Sequence, residues 1–202
     1  MPGLKEVRIR IASVKSTQQI TNAMKMVAAS KLRKAQNAII KLRPYAAKLN
    51  DIMQNLSGSV DSTSDSPFTH IRIAEKILLV VITSNRGLCG GFNSNIIKAT
   101  LNLLSTEYSE QLRKGNVTLI TIGRKGSEFF RKRGYKIVES HDDLFDKLTF
   151  YNVAPLAEQL MKAFAGKEYD RVKIIYNQFK NAAVQRLVVE QYLTILPVPH
   201  GP

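Results

Sequence analysis

Apolar residues in the first quarter of the chain follow one strict pattern. From Leu4 to Leu56 the spacing alternates between three and four residues, and thirteen of the sixteen positions are apolar. A repeat of 3.5 residues keeps one stripe of a helix facing a partner. We call this stripe the heptad seam: Leu4, Val7, Ile11, Val14, Gln18, Thr21, Lys25, Ala28, Leu32, Ala35, Ile39, Leu42, Ala46, Leu49, Met53 and Leu56. The pattern predicts one coiled-coil-type helix of about 80 Å.

The seam changes character at three consecutive positions. Gln18, Thr21 and Lys25 are polar. Apolar residues lie beside the seam there instead, at Ile20, Met24, Met26 and Val27. Since an apolar stripe faces whatever covers it, this shift predicts that the helix changes partner in this region.

Pro44 lies inside the same repeat. An interior proline removes one backbone hydrogen bond and usually kinks a helix. Because the seam continues to Leu56, we predict a bent helix rather than a break. The alternative is two ordinary helices that meet at Pro44 and pack on a core, although patterns longer than about 25 residues favour coiled coils or repeats.

The composition changes after the seam. Residues 57–70 are rich in serine and aspartate, which breaks the helical period and indicates a domain boundary. The apolar run at 76–83 is rich in β-branched residues, as in a central parallel strand covered on both faces. Further strands are predicted at 116–122, 135–139, 170–176 and 185–196, and helices from Asn93 or Ser94 to about Leu112, at 124–133 and at 153–164.

This order of elements predicts an α/β fold. We expect a Rossmann-like domain with a mostly parallel sheet, helices on both faces and an antiparallel strand at one edge. The predicted domains are a long helix over 1–57, a flexible linker over 58–75 and the α/β domain over 76–202.

A glycine-rich turn follows the first strand, where phosphate-binding loops join a strand to a helix. Its residues are Arg86, Gly87, Leu88, Cys89, Gly90 and Gly91. The turn has neither Gly-Lys-Ser/Thr nor Gly-x-Gly-x-x-Gly spacing, so we interpret its glycines as structural. No histidine lies nearby in sequence to activate Cys89, which favours a packed side chain over a nucleophile.

His141, Asp142 and Asp143 form a second candidate site. Such side chains can ligate a metal, but three adjacent residues do not supply a convergent set of ligands by themselves. We therefore predict a solvated turn here, with no metal site.

The charge of the chain is uneven. The net charge is +14, and residues 1–57 carry eleven lysines and arginines against two acidic residues. A basic rod predicts an acidic partner, either nucleic acid or acidic protein loops. The single cysteine fits a reducing compartment. The sequence has no apolar run of 18 residues that would span a membrane, and its first residues lack the apolar core of a secretory signal.

Two stretches resemble the gamma subunit of F-type ATP synthases. One runs from Ile11 to Lys34 and is followed by Arg43-Pro44-Tyr45; the other is Thr-Ser-Asn-Arg-Gly-Leu-Cys-Gly-Gly-Phe-Asn, residues 83–93. The likeness covers the whole chain, and the family carries a proline in its long helix. Family members continue into a second long helix that pairs antiparallel with the first. The resemblance therefore implies a truncated form with an unpartnered seam.

The resemblance implies a rotor shaft without an active site or cofactor. In the family this subunit turns inside the ring of alpha and beta subunits. Its α/β foot binds the epsilon subunit and rests on the membrane ring of c subunits. The implied location is peripheral, on the cytoplasmic side of the bacterial inner membrane. By position, the region that contacts the beta subunits is Met24, Lys25, Met26, Lys31 and Arg33.

Other interpretations stay open at this point. A basic α/β protein that binds nucleic acid is supported by charge alone. An enzyme built on the Gly87–Gly91 turn lacks a catalytic base, a metal constellation and a phosphate-binding lysine. The isolated long helix has two outcomes: it pairs with a second copy of the chain as a homo-oligomer, or it folds back on its own domain.

Overall fold

A computed structural model describes residues 3–59, 66–181 and 183–195, with only the backbone for residues 50 and 53–59. The chain divides into two compact units, Met1–Asp61 and Ser62–Pro202. We call them the helical unit and the sheet unit.

The helical unit is one α-helix, α1, over Leu4–Ser59. Its 56 residues include Pro44, so the alternative of two helices separated at Pro44 is wrong. At the polar part of the seam, the Thr21 hydroxyl donates to the Thr17 carbonyl oxygen at 2.8 Å. This bond satisfies a seam position inside the helix itself, as threonine hydroxyls often do in helices.

The sheet unit is a five-stranded α/β fold, as predicted. Its elements are β1 (Ile77–Ile82), α2 (Phe92–Thr106), α3 (Ser109–Arg113), β2 (Val117–Ile122), α4 (Arg124–Lys132), β3 (Ile137–Ser140), a 3-10 turn (Asp142–Phe145), α5 (Phe150–Ala165), β4 (Arg171–Phe179) and β5 (Gln185–Leu193). The strand order is β3-β2-β1-β4-β5. β5 is antiparallel to β4, and the other neighbouring pairs are parallel.

β1 is buried on both faces because helices cover both sides of the sheet. Ile77, Leu79 and Val81 belong to a cluster that includes buried residues of α2 and α4. Leu78 and Val80 belong to a second cluster with the buried side of α5. This explains why β1 reads as a continuous apolar run rather than as an alternating pattern.

The helix predicted to run to about Leu112 is instead two helices. α2 ends at Thr106 and α3 begins at Ser109. Tyr108 lies between them and is 1% exposed. The break places the Tyr108 ring in the core, and this tertiary burial outweighs the local tendency to continue the helix.

Residues 66–75, which we predicted as flexible linker, pack against the sheet unit. The Phe68 ring stacks on Phe164 with 6.2 Å between centroids. The Arg72 guanidinium donates to the Phe164 carbonyl oxygen at 3.0 Å and lies 4.7 Å from its ring centroid. An amide of Gln111 donates to the Ala74 carbonyl oxygen at 2.9 Å.

Glu107 provides a pH-dependent contribution to stability. Burial raises the pKa of its carboxyl, but the hydrogen bonds and charge of Lys173, with the charge of Arg171, outweigh burial and lower the pKa below 4.5. The Lys173 ammonium lies 2.7 Å from both carboxylate oxygens. A carboxyl with a depressed folded pKa stabilises the fold above its unfolded pKa, and this contribution disappears as pH falls through the folded pKa.

We therefore expect that the unfolding free energy of Glu107→Gln depends less steeply on pH under acidic conditions. The native chain should lose unfolding free energy more steeply than the variant as pH falls below 4.5. Urea unfolding at a series of pH values measures the difference. Glu110→Gln, at an exposed position of the same region, is the control and should keep the native slope. Parallel curves for native chain and Glu107→Gln would contradict the assignment.

Candidate functional site

The predicted partner-contact region lies on α1, and its side chains are exposed. Met24 and Met26 are 66% and 69% exposed. Lys25, Lys31 and Arg33 are exposed as well. Since residues two apart lie on opposite sides of a helix, Met24 is on the side of Lys31 and Met26 on the side of Arg33. Each side thus combines an exposed apolar side chain with a cation, which suits apolar partner surfaces with acidic groups.

The heptad seam is also exposed along most of its described length. Its exposed large residues are Leu4, Val7, Ile11, Val14, Leu32, Leu42 and Leu49. Ile39 is half-buried. Met53 and Leu56 lie within α1, but their side chains are outside the described residues. The seam is therefore an apolar surface available for a partner.

Apolar exposure on α1 is not confined to the seam. Ile20, Val27 and Ile40 lie off the seam and are 59%, 56% and 64% exposed. A helix that is apolar on more than one side is normally buried inside a larger structure. The surface of α1 therefore favours enclosure by a partner assembly over contact with one partner helix alone.

The β1–α2 turn is a built structure centred on Asn93. Its Oδ1 accepts from the Ser84 backbone amide at 2.9 Å. Its Nδ2 donates to Ser84 Oγ at 2.9 Å and to the Arg86 carbonyl oxygen at 3.3 Å. Gly90 has φ +58°, where a residue without Cβ is least strained. The side chain of Asn93 thus holds the turn closed without any ligand.

Two predictions about this turn are wrong. Cys89 is exposed rather than packed. Neither Asn93 nor Ser94 caps the helix, because α2 begins at Phe92 with Gly91 as its N-cap. The physical reason is the Asn93 amide, which is already occupied by Ser84 and Arg86. The turn also exposes Leu88 fully, with φ +58°, and this exposed apolar tip was not predicted.

We expect Asn93→Ala to lower the unfolding free energy of the sheet unit by about 1–3 kcal/mol, because the Ser84 amide loses its acceptor. Urea unfolding followed by tyrosine fluorescence measures this change. Asn102→Ala, at an exposed position of α2, is the matched control and should change stability by less than about 0.5 kcal/mol. Equal values for the two variants would show that the Asn93 network does not hold the turn.

The His141 segment differs from the solvated turn that we predicted. His141 Nε2 lies 3.0 Å from Glu139 Oε2, and both side chains are about one-third exposed. Asp142 Oδ1 accepts from Ser127 Oγ at 2.7 Å and from Ser140 Oγ at 3.1 Å. These side chains bond to the fold instead of converging on a shared point. Among the residues described, no group of three or more His, Cys, Asp or Glu side chains is arranged to hold a metal.

The comparisons with known proteins point to one family. A family model described as ATP synthase matches residues 3–200. An ATP synthase gamma chain of Chloroherpeton thalassium is 45% identical over 197 residues, which cover 98% of this chain and 65% of that protein. A gamma chain of Flavobacterium psychrophilum is 48% identical over 198 residues, 98% of this chain and 67% of that protein. The chain belongs to the ATP synthase gamma-chain family.

A solved structure agrees with the gamma-chain assignment. The central stalk and c-ring structure of the Tetrahymena thermophila mitochondrial ATP synthase contains a chain that is 30% identical, with a TM-score of 0.65. The match covers 86% of this chain and 72% of that chain. This gamma-family chain spans about two thirds of the length of the curated relatives named above. These comparisons support the rotor interpretation rather than nucleic-acid binding.

One structural site of this gamma-family chain was missed in the sequence. Gly123, between β2 and α4, and Gly126, in the first turn of α4, approach Thr83, which directly follows β1. Thr83 Oγ1 donates to the Gly123 carbonyl oxygen at 3.0 Å and accepts from the Gly126 amide at 2.8 Å. The only sequence signal was the Gly-x-x-Gly spacing after β2.

In the described part of the chain, no helix is long and apolar enough to cross a bilayer.

Proposed function

We propose that this chain serves as a non-catalytic part of the rotor shaft of an F1Fo ATP synthase. In this role it couples ion-driven rotation to ATP synthesis by the alpha and beta subunits. The observation that carries the proposal is the 45–48% identity to ATP synthase gamma chains over 98% of the chain. The exposure of apolar residues on several sides of α1 supports it independently.

The mechanical role follows from the continuity of α1. A helix of 56 residues is about 84 Å long at 1.5 Å per residue. Its surface is asymmetric, because the polar seam positions lie next to the exposed Met24 and Met26. As such a helix turns, each surrounding subunit meets a different face in sequence. A turning helix can shift a surrounding subunit from one conformation to another only if it contacts the two conformations differently.

The proposed partners follow from charge and from the family. We assign the region of Met24, Lys25, Met26, Lys31 and Arg33 to acidic loops of the beta subunits. We assign the sheet unit to the epsilon subunit and to the c-ring. The complex would place the chain peripherally, at the cytoplasmic face of a bacterial inner membrane. For the chain purified alone, we propose that the exposed seam pairs with a second copy.

The test is assembly with purified alpha and beta subunits. The tagged chain should retain both subunits and should hydrolyse no ATP by itself. The double variant Lys31→Glu/Arg33→Glu should weaken this retention about tenfold, since two rim charges would become repulsive. Lys114→Glu/Lys147→Glu, on the sheet unit, is the matched control and should retain both subunits normally. ATP hydrolysis by the purified chain, or failure to retain alpha and beta, would overturn the proposed function.

A further inference from the structure

An apolar groove with a cationic rim lies on the sheet unit between α2 and α4. Its volume is about 680 Å³. The floor is formed by the half-buried Ile97, Leu101 and Phe129, and the fully exposed Leu88 stands at the β1–α2 turn. This volume lies within the range of about 300–1,000 Å³ that is typical of ligand sites. We call it the α2–α4 groove.

Cations around this groove outnumber the acids. The rim carries Lys98, Lys125, Lys132 and Arg133 against Glu128 alone. Lys125 pairs with Glu128 at 3.1 Å. The Arg133 guanidinium lies 4.4 Å from the centroid of the Phe129 ring. In the described structure neither Lys98 nor Lys132 forms an ion pair, so the rim keeps a net positive charge.

We propose that the α2–α4 groove docks an acidic amphipathic helix of a partner protein. The apolar floor takes the apolar face of that helix, and Lys98, Lys132 and Arg133 pair with carboxylates on its flanks. A helix is the expected shape because side-chain ridges of a third helix fit the groove between two packed helices. The proposal uses none of the contacts of α1 on which the proposed test of the shaft role rests, so the two can fail separately.

Charge and shape together select this occupant. The phosphates of a nucleic acid could pair with the cations of the rim, but they would not cover the apolar floor. A second α1 lacks the carboxylates that would pair with this rim, because residues 1–57 carry eleven lysines and arginines against two acidic residues. Like charges at such close range are unfavourable, which makes an acidic partner the complementary one.

Cys89 reports directly on occupancy of the groove. It is the single cysteine of the chain, it is exposed, and it lines the groove. The experiment measures the alkylation rate of this thiol in the full chain with a helical probe peptide that has leucines on one face and glutamates on its flanks. At ten times the dissociation constant of the peptide, alkylation should slow about tenfold. A peptide with lysine in place of every glutamate should not protect the thiol.

The variants localise the effect. Lys98→Glu/Lys132→Glu should lose protection at the same peptide concentration, relative to its own rate without peptide. The variant Lys114→Glu/Lys147→Glu makes an equal change of charge outside the groove. Its thiol should be protected like that of the native chain. Equal protection of both variants, or no protection of the native chain, would overturn the proposal. Protection by anionic lipid vesicles, or by higher concentrations of the chain alone, would replace the partner helix with a membrane surface or a second copy.

Discussion

Gly123→Ala is expected to destabilise the sheet unit by more than about 4 kcal/mol. The residue has φ +102°, and an added Cβ would overlap the Thr83 carbonyl oxygen and lie 2.7 Å from the Thr83 carbonyl carbon. Both atoms belong to the backbone at the end of the central strand, so no flexible side chain can move aside. Either β1 and β2 separate at this point or the turn changes its conformation.

Urea unfolding monitored by tyrosine fluorescence measures this loss, because six of the seven tyrosines lie in the sheet unit. Gly134→Ala is the matched control. Gly134 has φ +75°, but no heavy atom lies within 4 Å of an added Cβ. The control should lose only about 1–2 kcal/mol, the cost of a left-handed conformation. Similar losses for the two variants would show that the contact with Thr83 does not decide the effect.

Phe164→Ala is expected to cost about 3–5 kcal/mol. Phe164 is 0% exposed in the cluster beneath α5. Its ring also supports Phe68 and Arg72, which attach residues 66–75 to the sheet unit. Removing the ring therefore creates a cavity and also removes the ring contacts of Phe68 and Arg72, which weakens that attachment.

The comparison for Phe164 is Phe150→Ala in the same helix. Phe150 is 79% exposed, so its loss should change the unfolding free energy by less than about 0.5 kcal/mol. Limited proteolysis gives a second measurement, because residues 66–75 should become cleavable in Phe164→Ala alone. A native-like cleavage pattern in that variant would contradict the proposed attachment.

Long-range periodicity and continuous apolar runs made most of the fold predictable. The seam predicted α1 because its spacing held for sixteen positions, and Pro44 did not end it. β1 was recognisable because helices bury both of its faces. The antiparallel β5 was predicted from the short connection after β4.

Features decided by tertiary contacts were not predictable. The position of Gly123 against Thr83 depends on the pairing of β1 with β2, so a local sequence pattern does not show it. Asn93 resembles an N-cap in sequence, but its amide is used by Ser84 and Arg86 within the turn. Tyr108 interrupts a helical pattern because its ring enters the core. The exposure of Leu88 and Cys89 depends on the turn as a whole, which local composition does not determine.

Photocrosslinking from α1 in an assembled ring of alpha and beta subunits is the most direct test of the central claim, that α1 is a shaft enclosed by the ring. A photoreactive phenylalanine derivative in place of Met26 should crosslink to a beta subunit when the full chain is assembled with alpha and beta. The same derivative in place of Ile52, about 40 Å away along α1, is the control and should give a different crosslinking pattern. A crosslink from position 26 to the beta subunit would agree with a shaft enclosed by the ring. Crosslinks from position 26 only to a second copy of the chain, or to no protein, would contradict it.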